Sequence, residues 1–120
     1  TGVFDTTGVF LHPKKTDYAK AEKWLDVFQI SKLRNRPYLT LSSGQQRLVL
    51  LCRAFVKEPQ LLILDEPFHG LDTYNVLKAK EIITDYIISK SDRTLIMVSH
   101  YEAEFPQIID HYFQLKKTRL

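Results

Sequence analysis

Asp65 and Glu66 stand side by side directly after the apolar run at residues 61–64, and His100 directly follows the run TLIMVS. A carboxylate can hold a hard cation or accept a proton, and a histidine can exchange a proton near neutral pH. Ser42, Ser43 and Gly44 precede a stretch in which apolar residues recur at helical spacing. They therefore sit at a helix start, where unpaired N–H groups and the positive end of the helix dipole favour anions. Gly44 has no side chain, so a phosphate can come close to the backbone there. Asp72 stands two residues after Gly70, before a further helical stretch. Each residue also has an ordinary explanation: the serines and Asp72 as helix caps, the acids as a solvated turn, a lone histidine as structural. The predicted elements lift Asp65, Glu66 and His100 above that, by placing them at the ends of strands.

Those elements read as follows. Thr16 is placed to cap a helix running to about Ile30, with Asp17 in its first turn. Tyr18, Ala21, Leu25 and Phe28 form its apolar stripe, and Trp24 lies at the border of that stripe. A basic connection over residues 31–40 contains Pro37. Ser42 and Ser43 are each followed three residues later by a glutamine, Gln45 and Gln46, giving two overlapping capping-box patterns. Leu48, Leu51, Cys52 and Phe55 then mark a buried helical face that continues to Lys57, and Pro59 stops the helix. Residues 61–64 read as a parallel strand covered on both faces. A helix over about residues 73–89 and a second buried strand at residues 94–98 follow. A short helix before Pro106 and a last strand over residues 111–117 complete the prediction. This order indicates an α/β layered sheet with right-handed crossovers. Ligands in such sheets bind beyond the carboxyl ends of the strands, which is where Asp65, Glu66 and His100 fall.

Composition narrows the function classes. The chain has 120 residues, 44% hydrophobic and 26% charged, which is the size and balance of one globular domain. No apolar run reaches the roughly 18 residues of a membrane span. A single cysteine, Cys52, excludes an internal disulfide framework and a multi-cysteine zinc site. The formal charge is +3, with ten bases against five acids in residues 1–60 and seven against nine in 61–120. Lys32, Arg34 and Arg36 are the densest basic stretch of the first half, and no aromatic ladder lies beside them. They read as a solvated surface and not as a nucleic-acid patch. His12, His69 and His111 share no metal-ligand spacing and read as surface or packing residues. TGVF occurs at residues 1–4 and again at 7–10, too few copies for a solenoid. The chain begins at Thr1 without a signal pattern and is expected to be a cytoplasmic segment of something longer.

LSSGQQR at 41–47, LLILDEP at 61–67, GLD at 70–72 and VSH at 98–100 together resemble the second half of an ABC-type ATPase nucleotide-binding domain. Asp65 follows Gly44 by 21 residues, and each piece has its predicted structural context. The resemblance implies a P-loop NTPase fold present in part, a parallel sheet with flanking helices plus a helical subdomain. Residues 1–58 would be that subdomain, ending in the signature helix, and 59–120 the C-terminal part of the ATPase core. By resemblance, Asp65 is the Walker B aspartate that helps hold Mg²⁺, Glu66 orients or polarises the attacking water, and His100 is the switch histidine at the γ-phosphate. Ser42, Ser43, Gly44 and Gln45 would contact ATP held by the opposite subunit, and Asp72 would couple the two sites of a dimer. The usual signature is LSGGQ, and Ser43 replaces its first glycine.

The family's phosphate loop, G-x-x-x-x-G-K-[ST], does not occur in the chain: none of the four glycines, Gly2, Gly8, Gly44 and Gly70, is followed by lysine. Positioning and electrostatics supply nearly all phosphoryl-transfer catalysis, so these 120 residues alone are expected to hydrolyse almost no ATP. A sheet lacking a neighbour would also leave apolar surface and an open edge, so the isolated segment is expected either to self-associate or to have been trimmed from a longer chain. The opening TGVFDTTGVF, the LSSGQQR helix and DEPFHGLD are similar to molybdenum-transport or photorepair-type ATP-binding proteins. The implied partners are a second ATPase domain, as homodimer or tandem repeat, and a membrane permease subunit at the inner face of the cell membrane. Two other readings carry the same motifs: a soluble ABC ATPase of DNA repair or chromosome maintenance, and a non-catalytic interaction domain. The first usually carries heptad arms, which this chain lacks, and the second would tolerate loss of Glu66 and His100.

Overall fold

A computed structural model describes residues 15–115. The TGVF copies, His12 and residues 116–120 lie outside them. The first helix, α1, spans Lys15–Val27. It starts one residue before Thr16, which therefore lies inside its first turn and not at the predicted cap. It also ends three residues before Ile30. There Gln29 turns left-handed at φ 59°, and the Ile30 amide donates to the Leu25 carbonyl at 2.9 Å while the Gln29 amide donates to Asp26 at 3.0 Å. That bond pair is a Schellman ending, which satisfies the last carbonyls and stops the helix.

Two short 3-10 turns, Ser31–Leu33 and Tyr38–Thr40, carry the chain to α2 at Ser43–Phe55. Leu48, Leu51, Cys52 and Phe55 are its buried residues, as the spacing predicts. The strand β1, Leu61–Asp65, is joined by α3, Thr73–Ile88, to the strand β2, Thr94–Val98. β1 and β2 pair in parallel, with Leu61 opposite Thr94 and Asp65 opposite Val98. The α/β reading and both strands hold. The predicted helix before Pro106 is reduced to one 3-10 turn, Glu102–Glu104. Residues 111–115 take no regular structure, so no last strand forms there, and residues 116–117 fall outside the described residues.

One core joins all five elements. Trp24 and Phe28 of α1, Phe55 of α2 and Tyr86 of α3 stack as an aromatic cluster, with Phe55 ring centroids 5.1 Å from Trp24, 5.4 Å from Phe28 and 4.9 Å from Tyr86. Tilted and edge-on pairs of this kind contribute about 0.5–1.5 kcal/mol each beyond simple burial. Trp24 is thus at the centre of the buried stripe and not at its border, and Tyr18 is 60% exposed. At 3.6 residues per turn, Tyr18 lies about 120° around the helix from Trp24, off the stripe that Trp24 and Phe28 define.

Leu62 and Leu64 of β1 enter the same core, while Leu61 and Ile63 are 50% and 59% exposed. Two-sided coverage of this strand is therefore not observed. A continuous apolar run suits a strand between two helical layers, and the described residues supply a layer on one face only. Ile96 and Val98 of β2 continue the uncovered face.

Candidate functional site

The strand ends position the first group. Asp65 is the last residue of β1 and is exposed. The Glu66 amide still bonds the Val98 carbonyl at 2.8 Å, but its own φ of 48° is left-handed. For a residue with a side chain that conformation is strained, on the order of 1–3 kcal/mol, and such strain persists where the surroundings dictate it. Glu66 Oε1 lies 3.4 Å from Nε2 of His100, whose side chain is 84% exposed. Oε1 itself is buried and has no aligned hydrogen-bond partner among the described residues. The backbone around His100 is held by its neighbours. Ser99 Oγ donates to Glu104 at 2.7 Å and accepts from the Tyr101 amide at 3.1 Å, and Lys80 of α3 donates to the Ala103 carbonyl at 2.8 Å.

The start of α2 forms the second group. Ser42 is the cap: its Oγ accepts from the Gln45 amide at 3.1 Å, and Gln45 Oε1 accepts from the Ser42 amide at 3.0 Å. This is the first of the two predicted capping boxes. The second does not form, because Ser43 is already helical and a helix has one cap position. Gln46 reaches back instead to donate to the Tyr38 carbonyl at 3.0 Å. Ser42 and Ser43 are exposed at this helix start, and Gly44 and Gln45 are half-buried.

The third group is the turn between β1 and α3. Pro67 and Phe68 are buried, and Gly70 takes φ +84°, which glycine adopts without cost. Asp72 caps α3, its Oδ1 accepting from the Asn75 amide at 2.8 Å. A Cβ on Gly44 would lie 3.6 Å from the Gly70 carbonyl, so the start of α2 and this turn are neighbours. Arg47 of α2 also donates to the His69 carbonyl at 3.1 Å. Arg47 enters the sequence reading only as the last residue of LSSGQQR and Glu104 not at all: the first acts through a carbonyl 22 residues away and the second through the Ser99 side chain, and neither contact leaves a pattern in the sequence.

Glu66 and His100 are thus brought together, and Gly44 is brought beside Gly70. No hydrogen bond or ion pair among the described residues joins Ser42, Ser43 or Gln45 to Glu66 or His100. His69 and His111 are exposed, as expected. The acids suit Mg²⁺: exposed Asp65 offers a hard oxygen, and the orphaned Glu66 Oε1 suits a water or another donor at the same edge. Among the described residues no three metal-binding side chains cluster, so a cation there needs phosphate or water oxygens as well.

Residues 2–69 match the family described as ABC transporter, a span that holds LSSGQQR and the Asp65–Glu66 pair. The chain belongs to the ABC transporter family. Over 112 residues it is 39% identical to the ABC transporter ATP-binding protein ModF of Escherichia coli K12, covering 92% of this chain and 23% of that protein. It is 31% identical over 108 residues to the molybdate import ATP-binding protein MolC of Haemophilus influenzae, covering 90% of this chain and 42% of that protein. An ABC transporter solved in an inward-facing conformation superposes with a TM-score of 0.66 at 31% identity, over 81% of this chain and 39% of that one. The chain spans less than half the length of these proteins. In this member of the family, the parallel β1–β2 pair carries Asp65 and Glu66 at its carboxyl edge.

Proposed function

We propose that this chain is the C-terminal portion of an ATP-binding cassette whose whole protein hydrolyses Mg-ATP between two cassettes packed head to tail, to drive transport. The Glu66–His100 pair at the carboxyl edge of β1 and β2 is the observation that carries the reading. Residues 1–58 are the helical part ending in α2, and 59–120 belong to the ATPase core. ATP itself is gripped by residues outside these 120.

Within the site, Mg²⁺ neutralises phosphate charge when bound, and Asp65 is the residue that helps hold it. Glu66 orients the attacking water and polarises it as a base. His100 lies against Glu66 and tethers it to the γ-phosphate. Ser42, Ser43, Gly44 and Gln45 present the α2 N-terminus to the ATP of the opposite cassette, and Asp72 links the two sites. Capping does not exhaust Ser42, since its hydroxyl hydrogen can still donate to an anion. Molybdate is the proposed cargo, supported by likeness to MolC. The partners are a second cassette and a permease subunit at the cytoplasmic face of the membrane. No helix of the described residues is long and apolar enough to cross a membrane.

Glu66→Gln in the whole protein tests the reading. Loss of the base should lower turnover by about 10²- to 10⁴-fold, while ATP stays bound and a nucleotide-dependent dimer accumulates in light scattering. Unchanged turnover, or no ATP-dependent dimer, would count against it.

A further inference from the structure

The turn that begins at Glu66 is tied to α2 by one hydrogen bond and lies beside its start. Arg47 Nε donates to the His69 carbonyl at 3.1 Å, and a Cβ on Gly44 would make ordinary contact with the Gly70 carbonyl at 3.6 Å. The turn is closed on its other side as well: the His69 amide donates to the Glu66 carbonyl at 3.4 Å and the Leu71 amide to the Phe68 carbonyl at 3.0 Å. Phe68 anchors it in the core at 2% exposure. Arg47 is half-buried one helical turn into α2, on the side that meets this loop. A guanidinium is permanently charged and holds its hydrogen-bond geometry rigidly, so its bond to a carbonyl is stronger than a neutral one.

We infer that Arg47 is a positioning residue that makes the start of α2 and the Glu66–Asp72 turn move as one body. The inference rests on the ATPase reading above. In that reading the α2 start touches the nucleotide of the opposite cassette, while Glu66 acts on the nucleotide of its own. Arg47 then links one site's phosphate contact to the other site's water-orienting carboxylate. A displacement of the α2 start on meeting phosphate reaches Glu66 through His69, without passing through the flexible side chains at the interface. Coupling of this kind appears as cooperativity between sites and not as affinity at one site.

The test compares Arg47→Met and Arg47→Lys in the whole protein. Without nucleotide, hydrogen exchange of a peptide covering residues 66–72 should quicken in Arg47→Met, since the turn loses its tie to α2. With Mg-ATP, Arg47→Met should lower kcat by about tenfold, the scale of one charge-assisted hydrogen bond. Its KM should stay within about twofold, and its Hill coefficient should fall toward about 1. Arg47→Lys keeps a charged donor and should recover most of the cooperativity. If Arg47→Met fails to fold, Arg47→Lys and the exchange measurement decide between the outcomes. Unchanged exchange over 66–72, or a Hill coefficient equal to that of the parent, overturns the inference. If Glu66→Gln traps ATP while Arg47→Met behaves as the parent does, only the role of Arg47 fails. If Glu66→Gln neither traps ATP nor loses turnover, the ATPase reading fails and the inference falls with it.

Discussion

Asp72 caps α3, and a pair of substitutions can separate that role from the coupling role proposed above. Its Oδ1 accepts from the Asn75 amide at 2.8 Å, which makes it the N-cap of α3. Under the proposed function its carboxylate also couples two nucleotide sites. Asparagine caps a helix about as well as aspartate, so Asp72→Asn keeps the bond and removes the charge. The lost attraction between that charge and the helix dipole is worth about 0.3–1 kcal/mol at an exposed position. Asp72→Ala removes both, adding about 1 kcal/mol for the cap. A difference of about 1 kcal/mol between the variants corresponds to roughly 0.3–1 M in the urea midpoint, for slopes of about 1–3 kcal/mol per molar. Urea unfolding of the whole protein without nucleotide measures this, and steady-state ATPase curves measure the coupling. Stability should rank parent, Asn, Ala, while cooperativity should fall equally in both variants. Equal destabilisation by Asn and Ala would refute the capping argument. Full cooperativity in Asp72→Asn would refute the need for a carboxylate.

Other outcomes follow from the core and from one ion pair. Burial pushes the Cys52 thiol up to about 12, so at pH 8 it is protonated and shielded. Peptide mapping after iodoacetamide should find Cys52 unlabelled in the native protein and labelled in urea, and prompt native labelling would contradict the packing. The Lys23 ammonium, 2.7 Å from Glu58, holds that carboxyl below its usual range. A depressed folded pKa stabilises the fold above the unfolded value, about 4.3, and that gain is lost as pH falls through the folded value. Glu58→Gln should therefore cost less than about 1 kcal/mol near pH 7 and progressively less as pH falls toward 3, with salt shrinking the difference. An equal cost at both pH values would show that the pair is not its source.

Much of the fold was legible because its signals are local. Capping at Ser42, the apolar period from Leu48 to Phe55, the stop at Pro59 and the two apolar runs each depend on residues within a few positions of one another. The recurring motif order carried the family likeness, and the strand ends carried Asp65, Glu66 and His100 to one edge. The end of α1 was not legible, because Gln29 enters the left-handed region to complete a Schellman bond pair, and glutamine does not advertise that turn. Trp24 at the core centre was misjudged for a different reason: periodicity locates a stripe, but only the partners Phe55 and Tyr86 say where its middle lies.

By itself, then, the sequence determined the order of helices and strands from α1 to β2, the acids and histidine at the strand ends, and the capped start of α2. Backbone preferences and side-chain periods act over a few residues, and a single chain records them in full. Tertiary structure decided the contacts between residues far apart in sequence: Glu66 at 3.4 Å from His100, and Arg47 tied to the His69 carbonyl. It also decided that one face of β1 stays uncovered among the described residues. Those facts depend on how layers pack, and packing is a property of surfaces that the one-dimensional pattern does not contain.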